Sequence, residues 1–318
     1  MGYEPVAIIE APIPATRKAR KPVPPGPVGN TRLLAYGLLV PAVICVAFLL
    51  AYPLYLVFQL ALNERAGMNF MNRSINWGLD NFRVMLSDNR TWSSLVNTLV
   101  YTVGSIVPSF LIGLGLALLL NRSFPGRRWF RSLVLLPWAV PGVIVSIIFL
   151  WMFDTSFGVV NAMLRNLGLI QGEIRWYTSR EMAMFSVIVP TIWKGFPFFT
   201  LTLLAALQSI PASFYEAAKI DGATRLQQFM HVTWPGIRGA AVLVTILQTL
   251  WVFREFDIIF ATTGGGPVGA TETIGLLVYN EAFSYFRIGT ASATGVLMLA
   301  LAIIMILIAM KPLKKEYF

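Results

Sequence analysis

Lys194 lies about a dozen residues inside an apolar run from Met182 to Leu207, which at ~1.5 Å per helical residue puts a cation ~18 Å below the end of the run. Pro190, Gly195 and Pro197 surround it and are expected to interrupt the helix. Trp193, Phe196 and Phe198 offer flat apolar faces on which a sugar ring can stack. A second polar set stands in the run from Ala240 to Phe260, where Gln248, Trp251, Arg254, Glu255 and Asp257 recur at near-helical spacing. Gln248, Trp251 and Glu255 fall on one helix face. Polar and ionisable groups at such depth are costly and persist mainly where they line a solute path or pair with one another. Two readings stay open. Lys194 either donates to a solute oxygen or is neutralised by a carboxylate, of which Glu255 is the nearest in depth. Arg254 and Asp257 belong either to the same site or to an ion pair near the surface.

No other residues assemble a reaction centre. One His and one Cys leave no disulfide framework and no Cys/His metal cluster. His231 has no Ser or Cys nucleophile paired with it and reads as a solvated or packed side chain, and Cys45 sits in an apolar run as a packing residue. The stretch Gly264 to Pro267 is not a phosphate loop, because no Gly-Lys-Ser/Thr follows it. An intramembrane enzyme would need paired carboxylates or a His cluster at one depth. A stand-alone ion-coupled carrier would need acidic residues in several spans and an inverted repeat. Neither pattern is visible.

These residues need apolar elements to hold them, and the composition supplies little else. Hydrophobic residues make up 56% and charged residues 13%, with a mean hydropathy of +0.68; soluble domains carry about 25% charged residues, so much of this surface faces lipid. Six runs reach the roughly 20 residues a span requires: Leu33 to Leu60, Leu95 to Leu120, Ser132 to Phe153, Met182 to Leu207, Ala240 to Phe260 and Thr290 to Met310. The expectation is an all-α integral membrane protein of six helices over residues 33–310, with a basic, Pro-rich tail at 1–32 that cannot bury a core and a short tail at 311–318. The first run is too long for a signal-peptide core and lacks a small-residue cleavage site, so it reads as a retained anchor. The formal net charge of +10 is scattered through short loops, which is the positive-inside pattern and not a nucleic-acid surface. Alternate loops differ: Arg17, Lys18, Arg20, Lys21 and Arg32, then Arg122, Arg127, Arg128 and Arg131, then Lys219, Arg225 and Arg238, then Lys311, Lys314 and Lys315 share one side. That bias predicts both termini, and the loop 208–239, in the cytoplasm.

The loop 208–239 carries its own signals. Ser213 to Glu216 fits a capping box and Thr224 to Gln227 fits the Thr-x-x-Gln form, so two short helices are expected. Gly222 stands between them where a left-handed residue ends a helix, and Pro235 is expected to close the pair. Ala217, Ala218 and Ala223 keep the knuckle low enough to seat in a groove, and Phe214 and Tyr215 offer aromatic anchors.

The string Glu216, Ala217, Ala218, Asp221, Gly222, Ala223, Phe229, Val232 and Pro235 resembles the EAA loop of permease subunits of binding-protein-dependent ABC importers, with Trp234 in place of the usual Leu and Gly239 where a second Pro is common. Trp193 to Phe198, Ala205 to Pro211, Phe253 to Asp257, Thr263 to Pro267 and Ala270 to Thr273 are similar to its carbohydrate branch, the maltose-type and glycerol-phosphate-type permeases. The resemblance covers the chain from about Leu33 onward. It implies a type I importer permease of the bacterial inner membrane, paired with a second permease subunit, two ATP-binding-cassette subunits that hold ATP and Mg, and an extracytoplasmic substrate-binding protein, with no cofactor in this chain. It implies coupling through Phe214, Tyr215, Glu216, Ala217, Ala218, Asp221 and Gly222. It carries the sugar contacts onto Thr191, Lys194, Gly195, Phe198, Gln248, Trp251, Val252 and Glu255, beside Trp193 from the residue reading. Lys194, Val252 and Glu255 depart from the maltose-type pattern, so a sugar or sugar-like solute stands beside the alternative of a sugar phosphate, sulfonated sugar or other anionic polyol.

Overall fold

The computed structural model describes residues 31–63 and 76–317. The tail expected at 1–32 lies almost wholly outside the described residues. The helices are α1 (Thr31–Ala61), α2 (Asp80–Ser87), α3 (Asn89–Asn121), α4 (Arg127–Ala139), α5 (Gly142–Met152), α6 (Val159–Asn166), α7 (Arg180–Gln208), α8 (Ala212–Ile220), α9 (Arg225–Gln228), α10 (Trp234–Phe253), α11 (Asp257–Thr262), α12 (Ile274–Tyr279) and α13 (Ile288–Tyr317). Five helical segments are long and apolar enough to cross a membrane, and a sixth if α4 and α5 count as one bent span. The chain divides into two compact units, Met1–Tyr52 and Pro53–Phe318. In the first, Phe48 and Tyr52 of α1 stack with ring centroids 5.6 Å apart.

The second unit is built on the seam between α3 and α7. One face of α3 presents Ser94, Thr98, Thr102, Ser105 and Ser109, all buried, and small hydroxyl side chains let two backbones approach closely. Their own helix satisfies part of this polarity: Thr98 Oγ1 donates to Ser94 O at 2.6 Å and Ser109 Oγ to Ser105 O at 2.7 Å. Contact is tightest at Gly113, where an added Cβ would collide with Phe199 Cβ and lie 3.1 Å from Phe196 O and Thr200 N. Around the seam pack Tyr101, Leu120, Val187, Leu203, Ile237 and Val244.

Three expectations about continuity change. The helix interruption expected at Pro190, Gly195 and Pro197 does not occur: α7 is one helix through all three. Prolines are tolerated inside such helices when neighbouring groups satisfy the freed backbone. Here α7 lies against α3 and α10, and Thr191 Oγ1 donates to Val187 O and Thr200 Oγ1 to Phe196 O, both at 3.0 Å, one and three residues from the Ser186 and Trp193 carbonyls that Pro190 and Pro197 leave without an N–H. The run from Ser132 to Phe153 breaks instead, with α4 and α5 meeting at 95°, because Val140 is held extended before Pro141 and Gly142 opens the next helix. The fifth run stops at Phe253 and resumes at Asp257. At the other end the last helix passes Met310 and includes most of the expected tail.

At the α3 end opposite the 208–239 loop, residues 264–287 fold back onto the helix. The expected surface helix from Thr271 to Phe286 is only the short α12 followed by a π turn, and Ile274, Leu276 and Leu277 are buried. Buried acids require this arrangement. Arg90 donates to both Glu272 oxygens at 2.7 and 3.1 Å and meets Glu281 at 3.4 Å, while Asn280 Nδ2 donates to Glu272 at 2.7 Å and Thr290 Oγ1 to Glu281 at 3.0 Å.

The seam predicts a steric test. Gly113→Leu, which overpacks a helix backbone and not a flexible side-chain end, is expected to destabilise the chain by about 1–3 kcal/mol. The readout is the thermal midpoint in nanodiscs, with Gly115→Leu, in open space, expected to stay near the parent value.

Candidate functional site

A cavity of about 410 Å³ opens where α4, α7, α10 and α11 meet. Lys194 stands at the midpoint of α7 and lines it together with Thr191 and Gly195 from the same helix, and with Gln248, Trp251 and Val252 from α10. Glu255 completes the convergence that the sequence predicts, from the break after α10. Thr191 is fixed by the buried Tyr101 hydroxyl at 2.5 Å. Gln248, 4% exposed, donates from Nε2 to Gly195 O at 3.0 Å, tying α10 to α7 across the cavity floor.

Two expected members stand elsewhere. Trp193 faces away and packs edge to face on Phe149, with centroids 5.8 Å apart, in the cluster of Val145, Phe153 and Trp176. It lies one helical step from Lys194 on the side away from Gly195, and about 160° round the helix from Thr191, so it points off the stripe that lines the cavity. Phe198 does not line the cavity but lies against Trp251 at 5.1 Å and supports that ring from behind.

Five more residues join the lining: Trp138, Arg254, Phe256, Asp257 and Ile258. The surface ion pair considered for Arg254 and Asp257 is absent; among the described residues neither takes part in an ion pair within 4.0 Å. Lys194 and Glu255 form no direct pair either, and Glu255 Oε1 instead accepts from Ile258 N at 3.3 Å, at the start of α11. Trp138 was legible in principle. The string Pro137 to Gly142 carries two prolines and a glycine at mid-span, and interrupted helices are what line solute sites.

The 208–239 loop forms the expected knuckle with different fastenings. α8 ends in a Schellman motif, with Gly222 at φ +74°, Gly222 N donating to Lys219 O at 3.1 Å and Ala223 N to Ala218 O at 2.9 Å. The capping box at Thr224 and Gln227 is present. The one at Ser213 is not: α8 begins at Ala212, so Ser213 is already inside the helix and Pro211 takes the cap position. Pro235 does not close the pair. A π turn over Phe229–Thr233, with Trp234 N donating to Phe229 O, leads straight into α10, and the wider turn accommodates a residue without an N–H. The second helix of the knuckle is therefore continuous with a cavity-lining helix. Phe214 is 59% exposed and Glu216, Ala217, Asp221 and Gly222 are exposed, whereas Ala218 is half-buried. Tyr215 is half-buried, its hydroxyl 3.1 Å from Thr233 Oγ1, so it anchors the knuckle to its own chain.

Residues 109–311 match the family described as binding-protein-dependent transport system inner membrane component. The chain is 35% identical to the sulfoquinovosyl glycerol transport system permease protein SmoG of Agrobacterium fabrum over 85% of this chain and 87% of that one. It is 36% identical to the trehalose/maltose transport system permease protein MalF of Thermococcus litoralis, over 80% and 84%. Among solved structures it is similar to a chain of a bacterial ABC transporter involved in the import of the acidic polysaccharide alginate, with a TM-score of 0.76 and 26% identity over 90% of this chain and 96% of that one.

The unpaired lysine generates a prediction. A lysine at mid-span costs roughly 2.5–3.5 kcal/mol on insertion scales, and breaking a buried ion pair costs about 3–5 kcal/mol. Lys194→Met is expected to be at least as stable as the parent in a nanodisc thermal scan; a drop of about 3 kcal/mol would show that the lysine is half of a structural pair.

Proposed function

The chain belongs to the family of inner membrane components of binding-protein-dependent transport systems, whose ATPases lie in partner subunits, and we propose that it forms one half of a permease carrying a sugar or sugar-like solute inward by alternating access. The observation that carries this reading is the shared helix. α10 leaves the exposed knuckle at one end and supplies Gln248, Trp251 and Val252 to the cavity at the other. A push on the knuckle therefore displaces cavity walls without a hinge between them. Two global states biased by ATP in this way are what alternating access requires.

In this reading the knuckle faces the cytoplasm with both termini, as the distribution of Lys and Arg favours. Phe214, Glu216, Ala217, Ala218, Asp221 and Gly222 meet an ATP-binding-cassette subunit. One knuckle per chain against two such subunits calls for a second permease chain with a knuckle of its own, and an extracytoplasmic binding protein delivers solute to the opposite face. ATP and Mg are bound by the partner ATPases and not by this chain. The named solutes of the relatives, sulfoquinovosyl glycerol and trehalose or maltose, support a carbohydrate. Trp251, backed by Phe198, provides the ring face.

The test is coupling in the assembled transporter. At φ +74° a β-branched residue is strained by about 1 kcal/mol or more, so Gly222→Val misplaces α8 relative to α9, and Glu216→Lys reverses the charge of the exposed face. Both are expected to insert normally and to lose solute uptake and binding-protein-stimulated ATP hydrolysis by about tenfold or more. Normal coupling in both variants would make the knuckle a mere connector.

A further inference from the structure

The cavity holds two cations, Lys194 and Arg254, and two carboxylates, Glu255 and Asp257. None of the four takes part in an ion pair within 4.0 Å among the described residues. Unpaired charges at mid-span are costly, so something polar must occupy the space between them. The geometry shows where. The ammonium of Lys194 lies 3.4 Å, and Asp257 Oδ2 3.5 Å, from the point a Cβ on Gly142 would take, so the two heads flank Gly142 at no more than about 6.9 Å from each other, with no side chain of α5 between them. This arrangement exists only because the 95° bend brings Gly142 over α11.

We propose that Lys194 and Asp257 act as a single amphoteric cradle for a solute hydroxyl, and that the transported solute is an uncharged polyhydroxyl compound, not an acidic, sulfonated, phosphorylated or amino sugar; this rests on the transport reading above. A hydroxyl is the group that fits both heads at once, because its oxygen accepts from the ammonium while its proton is donated to the carboxylate. A carboxylate, sulfonate or phosphate placed there can accept from Lys194 but meets Asp257 as a like charge in a poorly screened site, and an ammonium meets Lys194 in the same way. The formal charge of the other pair, Arg254 and Glu255, also cancels, so this chain's share of the lining has no excess with which to compensate a net charge on the solute. Asp257 is then a specificity-determining residue. It does not merely terminate a helix, and Gly142 holds open the space it needs.

The experiment uses the assembled transporter in nanodiscs, with the binding protein omitted so that its own selectivity does not enter. Saturation-transfer NMR measures the binding of matched glucosides in neutral, 6-uronate, 6-sulfonate and 2-amino forms. The neutral form is expected to bind at least about tenfold more tightly than any charged form. Asp257→Asn is expected to move the preference toward the uronate and sulfonate by about tenfold or more, and Lys194→Met toward the amino form. A wild-type preference for a charged form, or a preference unmoved by both substitutions, would overturn the proposal while leaving a sugar permease intact. Binding of no glucoside of any charge, together with no uptake of any by the complete transporter, would overturn the carbohydrate reading as well.

Discussion

Lipid offers no hydrogen-bond partner to a backbone N–H or C=O, and the places where this chain keeps or breaks its helices follow from that constraint. α7 carries two prolines and a glycine yet remains whole, because it lies against α3 and α10. Hydroxyls of Thr191 and Thr200 return bonds to its own carbonyls, and the amide of Gln248 reaches Gly195 O. The breaks at Val140–Pro141 and Arg254–Phe256 occur at the edge of the cavity. There water, solute or a side chain such as Glu255 can satisfy the exposed groups. Irregular backbone and the charged cavity share a location because the same polar surroundings permit both.

The cavity gathers four charges, and among the described residues none of them takes part in an ion pair within 4.0 Å. The buried acids Glu272 and Glu281 at the far end of α3 make the contrast. They are locked by Arg90, Asn280 and Thr290 in short bonds that hold residues 264–287 onto the helix. One cluster is saturated and structural. The other is left with bonding capacity and is lined by Trp251, whose ring is braced by Phe198.

The proposed coupling role asks for rigidity at the knuckle. The Schellman turn at Gly222, the Thr224 box and the Tyr215 hydroxyl on Thr233 hold α8 against the helix that follows. Because that helix passes through a π turn into α10 without a loop, displacement at one end reaches Gln248 at the other. A flexible connector at Pro235 would have dissipated it.

The sequence by itself determined the number and extent of the apolar runs, the turn at Gly222 with its following cap, the depth of Lys194 and the shared face of Gln248, Trp251 and Glu255, since these follow from local hydrophobicity, φ preference and helical period; Thr191, Gly195 and Val252 were carried to the same site by the family resemblance. Only the tertiary structure decided which prolines bend the chain, that Trp193 turns away to Phe149 while Trp138 turns in, that Tyr215 is an internal anchor, and that Asp257 and Lys194 flank Gly142. Whether a proline bends a helix depends on what packs around it, and a side chain's facing is set by partners far away in sequence. Local pattern carries neither quantity, because both belong to the packed assembly of helices.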